Sequence, residues 1–255
     1  MQLTFLDRIQ EYSLHQQKIS LNVLHHLHEE SVNNSSESGF FWELQELKNQ
    51  KIVQQIDENN YKILSFFKPN ISEKILQINR YLFDKFDLSN YCIWSSDWFN
   101  QFSRHQITQN FVIIEIEKEA AESIFYELKE ADFGEVFLIL QKEDEVLLDR
   151  YVFEAKNPII IQKIITKAPK QLIKIENESI FIPHLEKMLV DLFVDNSVLI
   201  AYKGAEQNQI VETALLNYVL DFKKMFAYAT RRGKEQELKK YLFEHFVPQI
   251  NQIFS

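Results

Sequence analysis

The spacing of apolar side chains divides the chain into three successive patterns. Leu3, Leu6 and Ile9 recur at helical spacing, and Leu21, Leu24 and Leu27 do so again after Ser20, a residue suited to capping a helix. The polar run from Ser31 to Gly39 reads as a turn, and Phe40, Leu44 and Leu47 then give a third helix with one buried stripe. Beyond it the period changes. Ile52 to Ile56 and Tyr61 to Leu64 flank the polar turn Asp57-Glu58-Asn59-Asn60, which predicts a β-hairpin. Three helices followed by a hairpin is the order of a winged helix-turn-helix. Pro69 holds Lys68 extended and Ser72 can cap the next helix, so a boundary is expected near residue 70.

The middle pattern alternates. Ile71, Ile75, Ile78, Leu82 and Phe86 predict a helix, and Asn90 to Trp94 a short strand. Phe111 to Glu117 reads as a strand running into a helix from Lys118 to Ala131, with Ala121, Ile124, Phe125 and Leu128 on its apolar face. Glu135 to Leu140 is a second strand, so this stretch predicts a right-handed parallel βαβ unit. Pro158 to Ile161 and Gln171 to Ile175 add two more strands.

The last pattern is helical. Leu185, Met188, Leu189, Leu192 and Phe193 form a stripe starting after Pro183. Further stripes are Ile210, Ala214, Leu215 and Tyr218, then Phe222, Phe226 and Ala229, then Leu238, Leu242 and Phe246 up to Pro248. The expected fold class is mixed α/β, or α+β. It comprises an N-terminal winged helix-turn-helix over residues 1–70 and a larger α/β domain with a helical C-terminal part over 71–255.

Composition removes several chemistries. The four glycines, Gly39, Gly134, Gly204 and Gly233, are too dispersed for a dinucleotide fingerprint, a P-loop or a nucleophile elbow. The single cysteine, Cys92, excludes an internal disulfide and any zinc site of two thiolates, which fits a reducing compartment such as the cytoplasm. Set in an apolar strand, it reads as an inert buried thiol. No apolar run reaches the ~18–20 residues needed to span a bilayer, so no membrane contact is expected. The net charge of −9 argues against nucleic acid when taken whole. Most of it lies in residues 71–170, which carry 12 basic and 17 acidic side chains; residues 1–70 carry 6 and 9.

Two segments give a resemblance. Phe40 to Ile52, ending in Asn60-Tyr61-Lys62-Ile63, resembles the recognition helix and wing of AbiEi-type regulators. Ile182-Pro-His-Leu-Glu-Lys-Met-Leu-Val-Asp191 resembles a segment of that family's C-terminal domain. Trp94-Ser-Ser-Asp-Trp98, with Phe102 and His105, and Tyr228-Ala-Thr-Arg-Arg232 are similar to stretches in bacterial relatives. AbiEi-like proteins are the antitoxin half of type IV toxin–antitoxin pairs, and their winged helix represses their own operon. The resemblance therefore implies a DNA-binding regulator without enzymatic activity or cofactor, with operator DNA and a cognate toxin as partners. Ser36, Ser38, Gln45 and Lys48 on the recognition helix, and Asn60 and Lys62 on the wing, would contact bases or phosphates. Glu43 and Glu46 sit on the same helix and oppose phosphate binding. Trp42 reads as an aromatic tucked under a neighbouring loop.

Other residues carry alternative chemistry. Lys223, Lys224, Arg231, Arg232, Lys234, Lys239 and Lys240 stand against only Glu235 and Glu237, so Arg231, Arg232 and Lys234 are candidate anion- or partner-binding groups. Alternatively, the arginines complement a helix dipole while Gly233 caps the helix. Glu115 and Glu117, on one strand face near Asp97, could hold Mg²⁺ for a nucleic-acid enzyme, although a solvent-facing strand edge gives the same pattern. His25, His26 and His28 lack a second ligand set and read as a polar helix face rather than a metal site, and His105 as a hydrogen-bonded structural histidine. A third possibility is a non-catalytic interaction module whose winged helix touches only protein.

Overall fold

A computed structural model describes residues 3–247 other than 14, 33–35, 142, 143, 145–150, 153, 177 and 196. The architecture is mixed α+β and resolves into two units. One takes in the chain up to Phe67, Glu212–Leu220 and the chain from Phe243; the other takes in Lys68–Val211 and Asp221–Leu242.

The first unit runs α1 (Phe5–Ser13), β1 (Lys18–Ser20), α2 (Leu21–Ser31), α3 (Glu37–Asn49), β2 (Val53–Gln55) and β3 (Asn60–Ile63). Reciprocal bonds start α1: Asp7 N–H donates to Thr4 Oγ1 at 3.2 Å, and Thr4 N–H donates to Asp7 Oδ2 at 3.0 Å. That start sets the phase. The buried stripe is Phe5, Ile9 and Ser13, so Leu3 falls outside the helix and lies exposed. Ser20 and Ser36 cap α2 and α3, their hydroxyls accepting from Val23 N–H and Gly39 N–H. Residues 33–35 of the expected turn lie outside the described residues, and Glu37 already opens α3.

The hairpin forms as expected. The Asp57 carboxylate accepts from the backbone N–H of Asn59 and Asn60, at 3.0 and 2.9 Å, and so closes the turn. β3 lies between β1 and β2 in an antiparallel sheet. β1 has only three residues and no visible sequence signal; it exists because Ile19 pairs with Tyr61. One core joins α1, α2, α3 and the sheet: Phe5, Ile9, Ile19, Leu24, Phe40, Leu44, Leu47, Ile52, Val53, Tyr61 and Ile63, with Val219 packed against it. Past the sheet, Ser65 bridges Tyr218 in parallel.

The second unit contains α4 (Glu73–Lys85), β4 (Tyr91–Ser95), β5 (Val112–Ile116), α5 (Lys118–Glu130), β6 (Val136–Ile139), β7 (Ile159–Lys163), β8 (Lys170–Ile175), β9 (Glu178–Pro183) and α6 (Leu185–Val194). It also holds the start of α7 (Ala205–Asn217), α8 (Phe222–Arg231) and most of α9 (Glu235–His245). Its main sheet has the order β4-β5-β7-β6. β5, β7 and β6 are parallel and β4 is antiparallel at the edge, so the crossover through α5 leaves a gap that β7 fills. Successive side chains alternate faces, and the register puts Cys92, Glu115 and Gln162 in one row across three strands. β8 and β9 form a separate hairpin. Pro183 therefore ends a strand instead of opening a helix, and His184 occupies the N-cap of α6. Gly233, with φ of 68°, terminates α8, as its position after the arginines suggests. The expected stop of the last helix, Pro248, lies outside the described residues.

Candidate functional site

Two places bring chemically capable side chains together, one in each unit. In the first, α3 buries Phe40, Leu44 and Leu47. At 100° per residue the opposite side of the helix carries Ser38, Trp42, Gln45 and Asn49, all exposed. Trp42 is 69% exposed, which corrects the expectation of an aromatic packed under a loop. Among the described residues no segment covers that indole, because the core contacts of α3 are made on its other side. The glutamates lie off this stripe: Glu43 and Glu46 sit on one flank, and Phe41 and Lys48 on the other. Glu43 lies 3.8 Å from Nε2 of the buried His28.

The predicted contact residues differ in how far they are free. Ser36 is the N-cap, with its oxygen occupied by Gly39 N–H at 3.1 Å and Ser38 Oγ at 3.3 Å. Gln45 Nε2 donates to Asn49 Oδ1 at 3.1 Å. Lys48 Nζ donates to Gln55 Oε1 on β2 at 3.0 Å, linking helix and hairpin. Asn60 is held by both oxygens of Asp57. Lys62 pairs in register with Lys18 on one side and Gln54 on the other, so these three side chains share the sheet face turned away from the core. Burial lowers the Lys62 pKa.

Two of the seven cations in the basic segment near the C-terminus are paired within it. Lys234 pairs with Glu237 and Lys239 with Glu235, each at 2.6 Å. Arg231 Nη1 donates to Ala227 O at 3.2 Å, close to the end of α8. Arg232 is mostly buried and points at Asp191, 3.6 Å away. The acidic trio is likewise dispersed. Asp97 is exposed, Glu117 accepts from Asn90 Nδ2 at 3.1 Å, and Glu115 is buried. Among the described residues no group of three or more His, Cys, Asp and Glu could hold a metal ion. His105 is exposed, contrary to a structural role inside the fold.

In the second unit Glu115 belongs to a buried ion network. Lys187 Nζ lies 2.5 Å from Glu115 Oε1 and 2.6 Å from Asp191 Oδ2. Trp94 Nε1 donates to Glu115 Oε1 at 2.9 Å, and the Tyr228 hydroxyl donates to Asp191 Oδ1 at 2.9 Å. With Arg232 the network has two cations and two anions. Lys187 and Tyr228 are fully buried, and Trp94 and Glu115 nearly so. Residues from β4, β5, α6 and α8 are thus tied at one point.

A family model covers residues 39–247, from α3 through the whole of the second unit. The chain belongs to DUF6577, a family of unknown function. No curated protein matches the chain.

Electrostatics explain why the two cations of this network stay charged. Burial acts against the Lys187 ammonium, but Asp191 and Glu115 outweigh it and raise its pKa well above the ordinary lysine value. Arg232 behaves alike, with burial opposed chiefly by Asp191. Burial and then Asp191 raise the Tyr228 hydroxyl, and burial and then Glu115 raise the Cys92 thiol, so both remain protonated. Cys92 is the inert thiol its strand suggested. Sequence reasoning misses Lys187, Asp191, Tyr228 and Trp94 as site residues. Their signal is weak: Lys187 and Asp191 lie at i, i+4 in a helix whose other charged residue is Glu186, and Glu115 interrupts a β-branched strand.

Proposed function

We propose that this chain is a winged-helix transcription regulator of the AbiEi kind, which binds DNA through α3 and the β2–β3 wing. The observation that carries the reading is the order α1-β1-α2-α3-β2-β3 with sheet order β1-β3-β2, the arrangement that sets a recognition helix beside a wing. The uncharged stripe of α3 supports it, since Glu43 and Glu46 are displaced to one flank. Lys18 and Lys62 on the outer sheet face, with Lys48 between helix and wing, are the phosphate contacts. Arg231 and Lys234 are already engaged locally, and Arg232 by Asp191, so they carry no part of this interface. The reading assigns no reaction to the chain, and Glu115 is a structural ion. No helix among the described residues is long and apolar enough to cross a membrane. The resemblance makes the chain's own operator the DNA to try first, and an adjoining gene product the candidate toxin.

An electrophoretic shift with the chain's own upstream DNA tests the reading. Three lysine–phosphate contacts give a log–log salt slope of about −2.7, so a fourfold rise in salt weakens binding roughly 40-fold. Lys62→Ala is expected to reduce the slope to about −1.8. Absence of any shift at low salt overturns the proposal. One observation favours a second reading, contact with protein alone: Trp42 and Phe41 are exposed together on α3. Capture of a protein partner by a chain that binds no DNA would select it.

A further inference from the structure

We propose that α3 reads A·T base pairs, with the Gln45–Asn49 pair recognising adenine; this rests on the DNA-binding reading above. Four exposed side chains define the stripe, and none is charged: Ser38, Trp42, Gln45 and Asn49. Gln45 Nε2 donates to Asn49 Oδ1 at 3.1 Å, so the two amides are fixed against each other before any DNA arrives. That bond uses one of the two Gln45 Nε2 hydrogens and one acceptor position on Asn49 Oδ1. The pair still presents an acceptor, Gln45 Oε1, beside donors on Asn49 Nδ2 and Gln45 Nε2. The major-groove edge of adenine offers the complement, a donor at N6 and an acceptor at N7. Thymine adds a C5 methyl, for which the exposed indole of Trp42 supplies apolar surface.

Guanine presents two acceptors, O6 and N7, and is read by two donors, usually from arginine or lysine. The stripe has neither. The first unit contains one arginine, Arg8, and its Nη1 is bound to Glu30 Oε2 on α2 at 2.7 Å. Lys48, on the flank of α3, has its ammonium on Gln55 of the wing. A guanine in the adenine's position sets O6 against Gln45 Oε1, acceptor against acceptor, and discrimination of roughly 5- to 150-fold per base pair results.

The test uses the full chain and two end-labelled duplexes of equal length, one with an A·T centre and one with a G·C centre, titrated at one low salt concentration with the fluorescence anisotropy of the label as readout. The wild type is expected to prefer the A·T duplex by at least fivefold. Gln45→Ala and Asn49→Ala are each expected to abolish the preference by weakening binding to the A·T duplex. Gln45→Arg is expected to move it towards guanine. Both positions are exposed, so folding is not at stake, and circular dichroism checks it. Preference for the G·C duplex, or an A·T preference that survives both alanine variants and so reports duplex shape, overturns the inference but leaves DNA binding standing. Failure to bind either duplex at low salt overturns both.

Discussion

Replacing Lys187 by methionine is the most informative perturbation of the second unit. Methionine fills a similar volume without charge, so packing between α6 and β5 is nearly kept. Two buried carboxylates and one cation are left. Asp191 retains the Tyr228 hydroxyl and Arg232, whereas Glu115 keeps the Trp94 indole N–H but loses its cation. Breaking a buried pair by removing one member costs about 3–5 kcal/mol, because the stranded ion must stay dehydrated. For a unit of this size that lowers the melting temperature by roughly 6–20 °C. The loss should be present at neutral pH. A group whose pKa is raised on folding stabilises fully below its unfolded value and loses that contribution only as pH climbs through the folded one, which for Lys187 lies in the alkaline range. Adding Glu115→Gln to Lys187→Met removes the stranded charge and should recover most of the deficit. Calorimetry at neutral pH compares the three proteins. A single variant within about 1 kcal/mol of wild type, or a double variant as unstable as the single, would refute the account of an energetically coupled network.

Further outcomes concern individual groups. Burial pushes Tyr91, Tyr202 and Tyr241 up to about 12. Their stabilising contribution is complete below the ordinary tyrosine value near 10 and declines as pH rises towards about 12. An alkaline titration of phenolate absorbance should therefore show a late group of tyrosines that ionise together with loss of helical dichroism; ionisation of all tyrosines near 10 in a folded protein contradicts this. Ser36→Ala removes the cap of α3 and should cost the first unit about 1 kcal/mol in urea unfolding without altering the salt slope of DNA binding. Weaker DNA binding at unchanged slope and unchanged stability would instead make Ser36 a phosphate contact.

Local chemistry is legible along the chain; partners distant in sequence are not. Asp57 and the two asparagines specify the turn of the hairpin, and Ser20 caps its helix, because each acts within three residues of itself. β1 is silent in the sequence, since Lys18-Ile19-Ser20 becomes a strand only by pairing with β3. β9 merges with the approach to α6, because Pro183 suits a first helical turn as well as a strand end. The basic segment shows the converse error. Counting cations there reveals a patch, but the neighbours one turn away, Glu235 and Glu237, already hold two of them, and Arg232 turns inward. Lys187 and Asp191 look like an ordinary polar edge of an amphipathic helix. Only the fold brings Glu115, 72 residues earlier, against Lys187 and turns that edge into a core.

The parallel bridge between Ser65 and Tyr218, and the packing of Val219 on the first core, have a consequence for biosynthesis. The N-terminal helices and hairpin leave the ribosome first, yet the backbone partners of Ser65 and part of their apolar surface wait for residues 217–219. At 5–20 residues per second the intervening chain takes roughly 7–30 s to make. During that interval the Ser65 N–H and carbonyl lack the Asn217 and Val219 backbone groups they bond in the finished fold. The second unit likewise needs Asp221–Leu242, so both units are completed only by chain made after residue 219. A nascent-chain arrest series should place the final protection of the first unit after residue 219 has emerged, long after its own hairpin.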